Sequence, residues 1–151
     1  KGMSGLADML KALPGKLDQD KVLGRALRKG AEPIRDAAHN NLVSNGSVDT
    51  GLLANTMVIT NRREDLPGFV EVRLKPSAKL SMVIRKGRTT ETRARPSKYA
   101  HFVEFGTEHS VAKPFMRPAL DTQGPKAVEV IKSEVLKGVA AEARKLGLNI
   151  K

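Results

Sequence analysis

Residues 99–107 read YAHFVEFGT, and this stretch holds three of the five Phe and Tyr residues of the chain. The concentration stands out because aromatic residues make up 3% of the sequence and Trp is absent. Tyr99, Phe102 and Val103 are spaced to share one face of a helix, and Gly106 is suited to end that helix. The stretch therefore predicts a short helix whose rings enlarge an otherwise aliphatic core.

A second stretch, residues 113–120, reads KPFMRPAL. Pro114 and Pro118 flank Phe115, so that a large apolar side chain is held on a backbone with little freedom. We expect Phe105 and Phe115 to be mostly buried and near each other, and to fix the segment between the two stretches. Removing the ring of a core Phe115 would then cost about 3–5 kcal/mol of stability.

Glu104 lies among the rings of the first stretch, where an unpaired carboxylate would be costly. We predict that it pairs with a basic group or with backbone donors, and Arg117 is the candidate partner. The alternative is that Glu104 lies on the exposed side of its turn, in contact with water.

Helical patterns precede the first stretch. Residues 4–13 can form a short helix, and a longer helix can begin with a cap at Asp18 or Asp20 and end around residues 42–43. Pro33 falls inside the longer helix and is expected to kink it. The apolar positions of that helix recur every three or four residues, at Leu23, Leu27, Ala31, Ile34, Ala38 and Leu42.

Strand patterns occupy residues 57–60 and 69–74, and residues 80–84 suit either a third strand or an extension of the second. A last helix is expected from about Pro125 to about Gly147, with an apolar stripe at Val128, Ile131, Val135, Val139 and Leu146. We predict an α+β fold of N-terminal helices, a small antiparallel β-sheet with a long loop, and a C-terminal helix packed on the sheet. The length of 151 residues predicts a single domain over residues 1–151.

The net charge is +11, which favours contact with nucleic acid, a membrane surface or an acidic protein. Much of the excess lies in residues 62–98, with 11 Lys and Arg against 4 Asp and Glu. Residues 85–98 contain almost no large apolar residue, so we predict a basic, mobile loop there. Its expected contact residues are Arg85, Lys86, Arg88, Arg93, Arg95 and Lys98.

Several chemistries are considered and set aside. The absence of Cys excludes disulfides and thiolate zinc sites. His101, Glu104 and His109 are close in sequence but lack a metal-binding helix pattern, and residues 46–51 have Walker-like glycines without the required Lys. Glu71 and Arg73, with Asp65, suit a solvated strand better than a nuclease. We predict no catalytic residue, no metal and no cofactor, and no signal peptide or membrane-spanning segment.

The pattern Tyr-Ala-x-x-Val-Glu-Phe-Gly-Thr, followed by Pro-Phe-Met-Arg-Pro-Ala-Leu, resembles the signature of the tail-completion, or head–tail joining, proteins of long-tailed bacteriophages. Asp49-Thr50-Gly51-Leu52 matches the turn of that family between its long helix and first strand. Residues 79–98 match no family pattern. The motif residues that the resemblance identifies are Asp49, Thr50, Gly51, Tyr99, Val103, Glu104, Phe105, Gly106, Thr107, Pro114, Phe115, Arg117 and Pro118.

The resemblance implies a structural protein of the virion, a neck ring subunit that is not an enzyme and assembles in the host cytoplasm. Its implied partners are copies of itself, with hexameric symmetry expected, the head connector or adaptor protein, and the tail terminator or tail tube protein. Contact with genomic DNA in the channel is open, and no membrane contact is expected. We favour a protein contact for the basic segment, because tight pairing with DNA would hinder its passage. The alternative function is a small basic protein that binds DNA without sequence specificity.

Overall fold

A computed structural model of the chain describes residues 16–46, 51–63, 69–79, 82–86 and 90–145. The short helix expected at residues 4–13 lies outside them. In the described residues the elements are α1 (Lys16–Ser44), α2 (Leu52–Asn55), β1 (Met57–Arg63), β2 (Val70–Pro76), β3 (Met82–Lys86), β4 (Thr90–Ala94), α3 (Pro96–Phe105) and α4 (Met116–Lys145). This order of helices, strands and a C-terminal helix confirms the predicted α+β class.

The chain divides into two compact units, each with its own buried apolar cluster. The motif unit comprises Pro33–Ile59 and Leu74–Gly124, and it contains both aromatic stretches. The other unit comprises Lys1–Glu32, Thr60–Arg73 and Pro125–Lys151. Nothing in these contacts tests whether the chain folds as one domain, and that expectation stays a prediction.

Helix α1 is described from Lys16, so Asp18 and Asp20 lie within it and the cap predicted at either residue was wrong. The helix continues through Pro33 to Ser44. Most of its buried positions run at intervals of four, at Val22, Ala26 and Gly30 in one unit and at Ala38 and Leu42 in the motif unit; Gly24 is buried as well. The predicted apolar stripe is buried only in the second half of α1. In the first half, the buried positions are occupied by residues smaller than the predicted leucines.

Close packing at Gly30 accounts for the difference between the predicted and the observed buried positions in the first half of α1. A Cβ at this position would lie 2.3 Å from Cγ1 of Ile131 and 3.0 Å from the Ala127 carbonyl oxygen. Glycine therefore lets α1 and α4 approach closely within their unit. On α4, Val135 and Val139 are buried as predicted, whereas Val128 is 45% exposed.

In the basic segment, the structure differs clearly from the sequence prediction. Residues 85–98 were predicted to be a loop, but β3 and β4 pair as antiparallel strands and α3 begins at Pro96. The register runs from Met82 opposite Ala94 to Lys86 opposite Thr90. Backbone pairing supplies the order that the apolar content of the sequence does not indicate, and the threonines of β4 favour extended structure.

Helix α4 begins at Met116, well before the predicted start at Pro125, which lies inside the helix. Pro118 is tolerated because the first turn of a helix contains no backbone donor that needs an intrahelical partner. The start was misplaced because the group that caps this helix comes from another helix. Arg144 and Lys145 occupy the last described turn, as predicted.

Candidate functional site

The carboxylate of Glu104 is the centre of the motif unit. Its Oε2 accepts hydrogen bonds from the backbone N–H groups of Phe115 and Met116, at 2.7 and 2.9 Å. Its Oε1 accepts from the backbone N–H of Arg117 at 3.2 Å and from Nε of the same residue at 3.1 Å. The side chain is 7% exposed. The predicted pairing with Arg117 and with backbone donors is confirmed, and the exposed alternative is wrong.

These bonds make Glu104 a cap for α4 that is supplied by α3. The first N–H groups of a helix have no partner within the helix, and the N-terminus of the helix favours negative charge. Arg117 strengthens the link, because its Nη2 donates to the Glu104 carbonyl oxygen at 3.3 Å. The two sequence motifs are thus one structure, in which the Glu of the first holds the Phe-Met-Arg of the second.

The environment of Glu104 lowers the pKa of its carboxyl group. Burial alone would raise this pKa, but hydrogen bonds from the Met116 and Phe115 amides, the Arg117 side chain and the Arg117 amide together outweigh burial. The group is therefore a carboxylate at neutral pH, which is the form that can accept four hydrogen bonds.

Acid should destabilise the protein through this group. Because the pKa of folded Glu104 lies below the usual 4.5, its contribution is complete above about pH 4.5 and is lost as pH falls through the folded pKa. We expect the melting-temperature difference between the wild type and Glu104→Gln to be constant near neutral pH and to shrink in acid. A difference that stays constant down to pH 2 would contradict the assignment.

Gly106 ends α3 and cannot be replaced without strain. Its φ of 78° lies in the region that favours glycine, and its amide donates to the Phe102 carbonyl oxygen at 2.9 Å. A Cβ at this position would lie 2.8 Å from the Ala112 nitrogen and 2.9 Å from the Ser110 oxygen. The predicted helix end is confirmed, and the following loop must fold back closely over Gly106.

The loop between the motifs is held by backbone hydrogen bonds. Thr107 and Ser110 exchange two of them, at 2.8 and 3.2 Å, and the Lys113 amide donates to the Val103 carbonyl oxygen at 2.8 Å. Thr107 also accepts a hydrogen bond from the His109 amide at its side-chain oxygen, at 3.3 Å. A loop held at both ends in this way presents its remaining side chains in defined positions.

Polar residues near the end of α1 hold the other side of the motif, and the sequence interpretation missed them. Asn41 donates through Nδ2 to the Phe115 carbonyl oxygen, and Asn45 donates in the same way to that of Pro114, both at 3.0 Å. Nδ1 of His39 lies 3.0 Å from the Ala54 carbonyl oxygen, an arrangement in which the ring nitrogen donates. No local pattern identifies these partners, because the contacts of Asn41 and Asn45 span about 70 positions.

The two phenylalanines of the motifs have different environments. Phe115 is 2% exposed and packs with Leu42, Leu53 and Met57, so its predicted burial is confirmed. Phe105 is 66% exposed, and its predicted burial was wrong. Glu104 takes the inward position of this turn, which leaves the neighbouring ring on the surface beneath the Arg117 guanidinium, 4.8 Å from the ring centroid.

The remaining predicted residues are distributed around this centre. Tyr99 and Val103 are partly buried against the core cluster, Pro114 and Pro118 are half-buried, and Thr107 is exposed. Gly51 has φ 66° immediately before α2, whereas Asp49 and Thr50 lie outside the described residues. Of the basic residues, Arg88 also lies outside the described ranges, and the others lie in or beside β3, β4 and α3: Arg85, Lys86, Arg93, Arg95 and Lys98.

The geometry gives little support to the chemistries considered from sequence. In the described ranges, no group of three or more His, Asp or Glu residues is arranged to hold a metal ion. Glu104 already binds amides and a guanidinium, and Glu71 is engaged by Arg73 on the same strand. Within the described part of the chain, no helix has both the length and the apolar character needed to cross a bilayer.

A buried carboxylate that holds two motifs together while aromatic rings remain outside is an arrangement suited to protein contact. A model of the family described as "Bacteriophage HK97-gp10, putative tail-component" matches residues 4–106, which is more than half of the chain. The chain therefore belongs to this family of bacteriophage tail components, and the resemblance to tailed-phage proteins is confirmed. The match includes the first motif and ends before residues 113–120. No curated protein and no solved structure matches the chain.

Proposed function

We propose that this chain is a structural subunit of the phage neck, and that it assembles into a ring joining the head connector to the tail. Membership of the tail-component family supports a place in the virion. The observation that carries the joining role is the exposed aromatic surface on the motif unit, where Phe102 and Phe105 are 49% and 66% exposed. Rings fixed on a rigid, hydrogen-bonded frame are suited to a contact that gives up little conformational entropy.

The proposed partners are other copies of the chain, the head connector or adaptor protein, and the tail terminator or tail tube protein. The subunit would be made in the host cytoplasm and act without catalysis. The buried carboxylate of Glu104 serves as a helix cap, which supports a structural role for the most polar part of the motif.

The joining role can be tested in the phage that carries the gene. Phages with a deletion of the gene should accumulate DNA-filled heads and separate tails, seen by electron microscopy of lysates, and the intact gene supplied in trans should restore joined particles. Purified protein should also form rings as its concentration rises. Joined, infectious particles produced without the gene would overturn the proposal.

The basic segment, residues 85–98, distinguishes the joining role from the alternative of DNA binding. Neutralising Arg88, Arg93 and Arg95 to Gln should weaken head–tail joining in the complementation assay, because guanidinium groups can pair with carboxylates of a neighbouring protein. The melting temperature should change little, because arginine is almost never fully buried without a partner and surface substitutions usually alter stability by less than about 0.5 kcal/mol. Normal joining with altered DNA ejection would instead indicate that the basic segment faces the channel, and DNA affinity that falls steeply with salt would favour the alternative function.

A further inference from the structure

Helix α3 separates two different surfaces of the motif unit. Ala100, His101, Glu104 and Phe105 form one group along α3, and Tyr99, Phe102 and Val103 form a second group; the two groups adjoin, since the ring centroids of His101 and Phe102 are 3.9 Å apart. The first group lines one cleft and the second group lines another, in company with Val111. Each subunit therefore presents two distinct clefts that share no lining residue.

The first surface is an apolar cleft of about 280 Å³. Its walls include the side chains of Met57, Leu74 and Met116, in addition to those from α3. Two cationic residues, Lys75 and Arg117, also line it, and both are exposed to solvent. The cleft is thus suited to an apolar side chain that has a carboxylate close by.

The second surface projects an apolar side chain of this kind. Val111 is 85% exposed, more than any other large hydrophobic residue in the described part of the chain. It lies on the loop fixed by the Thr107–Ser110 bridge and the Lys113–Val103 hydrogen bond. Glu108 is exposed in the turn of the same loop and supplies the carboxylate. Covering Val111 would remove its apolar surface from water.

We propose that the Val111 loop of one copy of this chain seats in the Ala100–Phe105 cleft of the next copy. Val111 would fill the apolar cleft, and Glu108 would approach Lys75. Because the loop and the cleft are different surfaces, the contact is head-to-tail and can be repeated from subunit to subunit. The inference rests on the proposed ring and names the contact that would build it.

A second copy is the favoured occupant because both halves are present in one chain and match in two respects. The protruding residue and the cleft are both apolar. The residue beside the first is acidic; among the charged residues lining the cleft, Arg117 already binds Glu104, so the charge match rests on Lys75. Neither the loop nor the cleft is complementary to itself, so the contact generates a series of subunits and not a two-fold pair. Such a series closes into a ring when the rotation between neighbours divides a full turn.

Two sets of variants test the contact by sedimentation velocity on the purified chain. Val111→Asp should raise the apparent dissociation constant of self-association at least about tenfold, with an unchanged melting temperature. The control, Val128→Asp, changes another exposed valine in the other unit and should associate as the wild type does. Glu108→Lys and Lys75→Glu should each weaken association, and the double variant should recover part of it, because the charges are exchanged across the contact.

The outcomes distinguish this contact from the proposed function. The contact would be overturned if the wild type associates and Val111→Asp associates equally well, or if the double charge variant recovers no association. Either result would leave the proposed ring untouched. Equal loss in Val111→Asp and Val128→Asp would also overturn it, since the effect would not be specific to the loop. A wild type that stays monomeric at every concentration, both alone and with connector and tail partners, would count against the ring itself.

Discussion

Phe115→Ala should lower the free energy of unfolding by about 3–5 kcal/mol, the usual cost of truncating a buried phenylalanine. The ring is 2% exposed and packs among Ala38, Leu42, Leu53 and other members of the motif-unit cluster, so its removal leaves a cavity that neighbouring side chains cannot fill by small shifts. Chemical denaturation followed by far-ultraviolet circular dichroism measures the change. Assembly should fail as well, because the loop after Gly106 leads directly into Phe115.

Phe105→Ala is the matched control, since it removes the same ring from the other motif. Phe105 is 66% exposed and is contacted by the Arg117 guanidinium, so its loss should cost about 1 kcal/mol or less. Head–tail joining should nevertheless suffer if the exposed ring contacts a partner. Equal losses of stability in the two variants would contradict the division between a buried and an exposed phenylalanine.

The sequence predicted the features that depend on neighbouring residues. The helix at residues 96–105 and its end at Gly106 follow from a helical spacing of rings and a residue that tolerates positive φ. The strands at β1 and β2 follow from runs of β-branched and apolar residues. The pairing of Glu104 with Arg117 was also predictable, because a carboxylate placed among rings requires partners.

Features set by distant parts of the chain were not predictable in this way. The start of α4 was placed at Pro125, because the carboxylate that caps Met116 and Arg117 belongs to a different helix. Phe105 was expected in the core, because the spacing of rings does not reveal which neighbour turns inward. Strand β4 was missed because its order comes from backbone pairing with β3, which a count of apolar side chains does not register.

Adjacent residues in one turn of α3 have different roles, one in stabilising the fold and the other in the proposed contact with a partner. Glu104 points inward and fixes α4, while the adjacent Phe105 points outward on the same frame. The exposed ring is therefore held in place by the hydrogen bonds of its buried neighbour. Variants at the two positions should therefore have separable effects on stability and assembly.

Glu104→Ala should destabilise the protein by about 2–4 kcal/mol, mainly because backbone N–H donors lose the carboxylate that accepts their hydrogen bonds. The Phe115 amide is buried and loses its acceptor, and each unsatisfied buried donor costs about 1–3 kcal/mol. The Met116 amide, which is partly buried, loses its acceptor as well. Glu104→Gln keeps the shape and one acceptor oxygen but removes the charge, so its cost should be smaller, since charge-assisted hydrogen bonds are about twice as strong as neutral ones.

Arg117→Met decides whether the cap or the ion pair stabilises the motif. It removes the guanidinium but keeps the backbone N–H that donates to Glu104. Because the Arg117 side chain is 60% exposed, solvent screens the ion pair and its loss should cost less than about 1 kcal/mol. We therefore expect urea denaturation to rank the destabilisation as Glu104→Ala above Glu104→Gln above Arg117→Met. If Arg117→Met destabilises as much as Glu104→Ala, the ion pair is dominant, and the motif is held by a charge contact in place of a helix cap.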